Sequence, residues 1–180
     1  GTYSLSLPAV TNFVDCGMTL YDGSSFSAPL VTSIANTVYK NLSVTGTVTL
    51  NLPATSITNL TINSSSNTNL SLPALTSYTW NLSQPVNLMQ TYGSGSVLSL
   101  PNLTSITMNT GVNGQSSISA TFGGLLDMPA LTTITTEAST DQVQLSANGA
   151  STSINAPLLA TYDPAAVTFS EANGGTVTHQ

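Results

Sequence analysis

One histidine, one cysteine, one lysine and seven carboxylates are the side chains of this 180-residue chain suited to acid–base, nucleophilic or metal chemistry. His179 stands next to the last residue, where it reads as part of a tail. A serine triad needs a histidine base beside its nucleophile, and a zinc cluster needs several nitrogen or sulfur ligands. A single terminal histidine supplies neither. Cys16 and His179 form a dyad only if the two ends of the chain meet. A lone cysteine has no internal disulfide partner, and Cys16 reads as a small buried hydrophobe.

The carboxylates are Asp15, Asp22, Asp127, Glu137, Asp141, Asp163 and Glu171. Polysaccharide hydrolysis uses paired carboxylates, and related lyases add a basic group that stabilises charge. Asp127 and Asp141 fall within one repeat length, but no Lys or Arg lies near them in sequence, so both read as solvated surface groups. Asp15 and Asp22 with Asn12 make a thin calcium set. GSGS at 93–96 lacks the lysine of a phosphate-binding loop. The chain is therefore expected to be no enzyme, with no catalytic, metal or cofactor-binding residue.

Composition points the same way. The net charge is −6, and only 4 % of residues are charged, against roughly 25 % in an ordinary soluble domain. With Lys40 as the one basic side chain apart from His179, the chain cannot neutralise a phosphate backbone or an anionic membrane surface. Apolar runs are too short to cross a membrane as a helix. A start at Gly1 rather than Met is expected of a mature or trimmed product.

What must position these groups is a repeat. LSLPAVTNF at 5–13 recurs as FSAPLVTSI at 26–34, LNLPATSI at 50–57, LSLPALTSY at 70–78, LSLPNLTSI at 98–106, LDMPALTTI at 126–134 and INAPLLATY at 154–162. The copies centre on Pro8, Pro29, Pro53, Pro73, Pro101, Pro129 and Pro157, spaced by 21, 24, 20, 28, 28 and 28 residues. The third copy lacks one residue after Ala54.

Apolar residues sit at −3, −1, +2 and +5 from each proline. The first pair has the two-residue period of a strand, and proline then ends the strand or forms a corner. Scarce Glu, Lys and Arg and a proline in every copy oppose helix. Further strand-like runs are Ser43–Leu50, Thr58–Ile62, Ser117–Phe122 and Gln142–Ala147, with Gly93, Gly95, Gly123, Gly124 and Gly149 at turns between them and the next copy.

The expected fold is all-β, a parallel β-solenoid of about seven coils of 20–28 residues, in one domain over 1–180 with a C-terminal strand segment at 163–180. One interior ladder is Leu5, Phe26, Leu50, Leu70, Leu98, Leu126 and Ile154. A second is Val10, Val31, Leu75, Leu103, Leu131 and Leu159. Thr11, Thr32, Thr76, Thr104 and Thr132 form an outward or corner ladder whose hydroxyls bond across coils.

The pattern L-x-L-x-x-L-x-x-I resembles the leucine-rich repeat, and LPxLTSI resembles the receptor-L-domain type of β-solenoid and repetitive microbial cell-surface proteins. The resemblance covers residues 5 to 162 and implies an extracellular or cell-surface role in structure or interaction. Six sequons, at Asn41, Asn59, Asn63, Asn69, Asn81 and Asn102, are compatible with that setting.

No amphipathic helix is available to cap either end, so coils of successive copies are expected to stack head to tail into a filament or surface layer, with GTYSLSL or AAVTFS as strands available for addition. The alternative is an adhesin or viral fibre module that binds glycans through Tyr21, Tyr39, Trp80 and Tyr92, although each of these reads first as an interior or corner residue. Two lesser alternatives are a polysaccharide-degrading enzyme and an ice-binding protein. Ice binding would use two threonine columns, for which Thr45, Thr47 and Thr49 offer the spacing in one coil only. The expected partners are thus copies of the chain itself or glycans, without nucleic acid or membrane insertion.

Overall fold

The computed structural model describes residues 3–109, 114–136 and 141–180. Over these residues the chain winds into an all-β parallel solenoid of about six turns, close to the seven coils that the motif copies predict. Each coil contributes up to three strands, so the rod has three faces.

The first face holds the strands that precede the motif prolines, β1 (Ser4–Ser6), β4 (Ser25–Ser27), β6 (Thr49–Asn51), β8 (Asn69–Ser71), β11 (Val97–Ser99), β14 (Leu125–Asp127) and β17 (Ser153–Asn155), and after them β20 (Thr176–Thr178), which no proline follows. The second holds the strands after the prolines: β2 (Asn12–Val14), the opening residues of β5 (Ser33–Thr45) and β7 (Ser56–Ser65), then β9 (Ser77–Trp80), β12 (Ser105–Met108), β15 (Thr133–Thr136) and β18 (Thr161–Tyr162). The third holds β3 (Met18–Leu20), the later residues of β5 and β7, β10 (Asn87–Tyr92), β13 (Gly114–Thr121), β16 (Asp141–Asn148) and β19 (Val167–Ala172).

Stacking places like on like. Leu70, Leu98, Leu126, Ile154 and Val177 lie in one register, each at most 9 % exposed. Phe13, Ile34, Ile57, Tyr78, Ile106, Ile134 and Tyr162 form the column of the second face. Met18, Leu42, Ile62, Met89, Ile118, Leu145 and Phe169 form that of the third. Apolar side chains from all three faces meet in one core. Tyr78 joins it because its hydroxyl donates to the Leu60 carbonyl at 3.0 Å; burial pushes its phenol far above the ordinary value.

The proline motif is a β-turn. In six copies the carbonyl of the residue before proline accepts from the amide of the residue two after it: Leu7 from Val10, Ala28 from Val31, Leu72 from Leu75, Leu100 from Leu103, Met128 from Leu131 and Ala156 from Leu159. Proline pre-sets φ at the second turn position and needs no donor there. The next residue seals the corner. Thr55, Thr76, Thr104 and Thr132 each donate both their amide and their hydroxyl to the threonine carbonyl one coil earlier.

The third copy departs from this scheme. It is one residue short, makes no such turn, and buries Ala54 where other coils bury Val31 or Leu75. On its face the ladder breaks: β1, β4 and β6 form one sheet, and β8, β11, β14, β17 and β20 another. The expected single ladder from Leu5 to Ile154 is therefore two ladders, Leu5–Phe26–Leu50 and Leu70 onward. A cavity of about 250 Å³ lined by Val44, Val48, Leu50 and Leu70 fills the gap.

The expected run Ser43–Leu50 is likewise two strands, divided at Gly46, whose φ of 80° suits glycine. Thr58–Ile62 and Gln142–Ala147 lie within β7 and β16, whereas the run Ser117–Phe122 stops one residue early, at the end of β13, with Phe122 in the turn that follows. The C-terminal segment supplies β19 and β20.

Candidate functional site

The groups suited to chemistry do not converge. Cys16 lies in the first coil and His179 in the last. The Cys16 thiol donates to the Val14 carbonyl at 3.3 Å, and its amide donates to Asn36 Oδ1 at 3.0 Å. Among the described residues no three His, Cys, Asp or Glu side chains gather as a metal site.

Five of the carboxylates serve the backbone or a neighbouring coil. Asp15 accepts from the amide and hydroxyl of Thr37 and from the amide of Val38. These bonds, the Thr37 amide first, hold its carboxyl below the usual aspartate value. Asp22 accepts from the Thr47 amide at 2.8 Å. Asp127 accepts from Asn155 Nδ2, Asp163 from the Ala165 amide and Glu171 from the Val177 amide. Asp141 is buried in β16. Glu137 lies outside the described residues.

Of the aromatics offered for glycan contact, Tyr21, Tyr39 and Tyr92 are exposed. Trp80 is not: it is 0 % exposed, stacks in register with Met108, and donates its indole N–H to the Leu82 carbonyl. Tyr39 packs edge-on against it beside a cleft of about 300 Å³ lined by Val38, Leu82, Ser83 and Gln84. Tyr92 meets the exposed Phe122 of the next coil with ring centres 5.3 Å apart.

Among the described residues, open strand edges occur on the first coil and on the last. On the first, strands β1, β2 and β3 each pair on one side only, so three backbone edges are open. The side chains on the core columns there are Leu5, Leu7, Val10, Phe13, Met18 and Leu20, all apolar. Tyr3, Leu5, Val14 and Tyr21 are 79 %, 53 %, 55 % and 68 % exposed. Two hollows of about 310 and 180 Å³ open on this end, the first beside Tyr3 and Tyr21, the second beside Leu7, Cys16 and Met18.

The last coil is built differently. Glu171 occupies the column of Ala120 and Ala147, buried in the coils before it. His179 falls one residue beyond the Asn155–Thr178 pair, opposite Ala156. The Glu171 carboxylate reaches the Val177 amide. The His179 ring stacks on Phe169 at 3.8 Å and 8°, with Tyr162 edge-on to both. The Gln180 amide closes on the Leu159 carbonyl.

The sequence predicts no capping helix at either end. The motif stops at Tyr162, so nothing in it signalled that Glu171 and His179 stand on core columns. Comparison of the chain with family models, with curated proteins and with solved structures finds no match.

Proposed function

We propose that this protein is a non-enzymatic structural element of the cell surface or extracellular space that works by assembling with copies of itself. The observation that carries the reading is the first described coil, where, among the described residues, three strand edges stand unpaired around exposed Tyr3, Leu5, Val14 and Tyr21. Such edges recruit further strands unless they are blocked by charge, proline or a cover. The low charge of the chain lowers repulsion between copies. The receptor-L-domain likeness of LPxLTSI, and the sequons, fit a secreted setting.

Sedimentation velocity tests it. The protein is expected to sediment as an oligomer in the micromolar range. The double variant Leu5→Lys, Val14→Lys is expected to sediment as a monomer with an unchanged circular-dichroism melt, since both residues are already more than half exposed. A wild-type monomer at every concentration overturns the proposal.

A glycan-binding role has one specific observation in its favour, the exposed Tyr92–Phe122 pair. Aromatic faces pack against sugar rings. A glycan array that gives hits lost in Tyr92→Ala supports it, and an array without hits removes it.

A further inference from the structure

The second face carries a grid of hydroxyls. Strand alternation turns Ile57, Tyr78, Ile106 and Ile134 into the core, so the residues on either side of each point outward. Ser56, Ser77, Ser105 and Thr133 stack in one register, and Thr58, Thr79, Thr107 and Thr135 in another. The paired columns that Thr45, Thr47 and Thr49 offer in one coil only are therefore present here, in Ser and Thr, over four successive coils. We propose that this face binds ice. It runs along the side of the rod, so the inference goes beyond the self-assembly reading and does not rest on it.

Three observations carry it. First, the rows are straight. Over these residues β7, β9, β12 and β15 pair in parallel with no shift in register, whereas β10 meets β13 on the third face through one. Coils stack at about 4.8 Å, and outward neighbours along a strand lie two rises of about 3.3 Å apart. The first spacing is close to the shortest repeat between equivalent oxygens of the ice lattice. The second approaches the longer repeat on the prism plane. Waters held on such rows are spaced nearly as ice spaces them.

Second, the hydroxyls are free to take water. The corner threonines beside them donate theirs to backbone carbonyls, as Thr104 does to Thr76. In the two columns, among the described residues, only Thr133 bonds within the chain, to the Thr132 hydroxyl at 3.5 Å. Threonine is stiff at χ1, so its hydroxyl repeats as the backbone does. Its methyl group gains by leaving liquid water.

Third, the face lacks what other ligands need. Over these four coils its outward side chains include no charge and no aromatic ring. A sugar takes an aromatic platform, a phosphate takes basic groups, and a protein partner takes bulky anchors. The grid is bounded on both sides. Ala35 precedes Thr58 in its column, and Asp163 stands one residue beyond the Ile134–Tyr162 pair, opposite Thr135.

Ice itself is the probe. The protein is exposed to a slowly growing ice front and its share in the ice is measured. Crystal shape and the gap between melting and freezing points are read by osmometry. The expected result is enrichment in the ice, faceted crystals and a measurable gap. Thr107→Lys is expected to lose all three with an unchanged circular-dichroism melt, because Thr107 points outward from β12. Ser146→Lys, outward on the third face, is expected to keep them. Serine lacks the threonine methyl group, so Ser77→Thr with Ser105→Thr is expected to widen the gap. That variant keeps the test open if Thr107→Lys does not fold.

A folded protein that is excluded from ice and leaves crystals round overturns the proposal. So does an equal loss from Ser146→Lys and Thr107→Lys, or a gap that Ser77→Thr with Ser105→Thr leaves unchanged. Copies that associate through this face, are separated by Thr107→Lys and show no activity toward ice also overturn it, and assign the face to protein contact. The ice measurements leave the first-coil reading untouched; sedimentation of the Leu5→Lys, Val14→Lys variant tests that separately.

Discussion

The hydroxyl of Thr104 donates to the carbonyl of Thr76 at 3.0 Å, and the amide of Thr104 donates to that same carbonyl at 2.9 Å. Thr76 treats Thr55 alike, and with Thr55 and Thr132 the corners after four of the prolines are tied to the coil before them twice over. Thr104→Val keeps the amide bond and removes the hydroxyl one. Because the carbonyl keeps a partner, the loss is expected at about 0.5–1 kcal/mol, read from urea unfolding. A neutral result would mean that these hydroxyls add nothing to stability.

Leu98 and Leu50 stand on the same motif position but in different surroundings. Leu98 is 0 % exposed between Leu70 and Leu126, whereas Leu50 is half-buried beside the break in the ladder. Leu98→Ala is expected to cost about 2–5 kcal/mol, as a truncation in a close-packed core does. Leu50→Ala is expected to cost less than half as much, because an open hollow already borders it. Equal losses in thermal or urea melts would contradict the broken ladder.

The break also leaves amides without partners. The Val97 amide donates to Thr68 and the Leu100 amide to Asp127, but their counterparts Asn69 and Leu52 have no backbone acceptor on the facing coil. Exchange with water measured by NMR is expected to be at least about tenfold faster at Asn69 and Leu52 than at Val97 and Leu100. Similar rates at all four would show the ladder to be continuous.

Asp15 gives the protein a pH-dependent anchor. Its carboxyl is held below the usual 3.8 by bonds from Thr37, so the group binds fewer protons folded than unfolded. The stability it contributes is present above the unfolded value and is lost as pH falls through the lower folded one. Asp15→Asn is expected to melt below the wild type at pH 6, with the gap closing at strongly acid pH. A gap that is constant with pH would contradict this.

Much of the fold was readable in the residues around each proline. A proline with leucine-type residues at −3, −1 and +2 fixes a strand, a β-turn and an inward side chain at once, and seven copies fix the stack. The interior position of Trp80 was legible, and packing inside, the first reading of this residue, is what the structure shows. It lies two residues beyond Tyr78, and extending the strand alternation by one step places it inside with Met108.

The broken ladder shows in sequence only as one missing residue after Ala54. Whether a shortened corner tightens one coil or parts two depends on packing along the whole rung. The polar groups on the columns of the last described coil were illegible for a different reason. Glu171 and His179 follow the last proline copy, and only strand pairing reveals that they share columns with Ala147 and Ala156.

Hydrogen exchange recorded as a function of protein concentration tests the central claim most directly, that the first coil is the assembly surface. The account predicts that the amides of Ser4–Ser6 become protected as concentration rises, while those of Thr176–Thr178 keep the same rates. Protection that does not change with concentration at Ser4–Ser6, or that grows at Thr176–Thr178 instead, would contradict it.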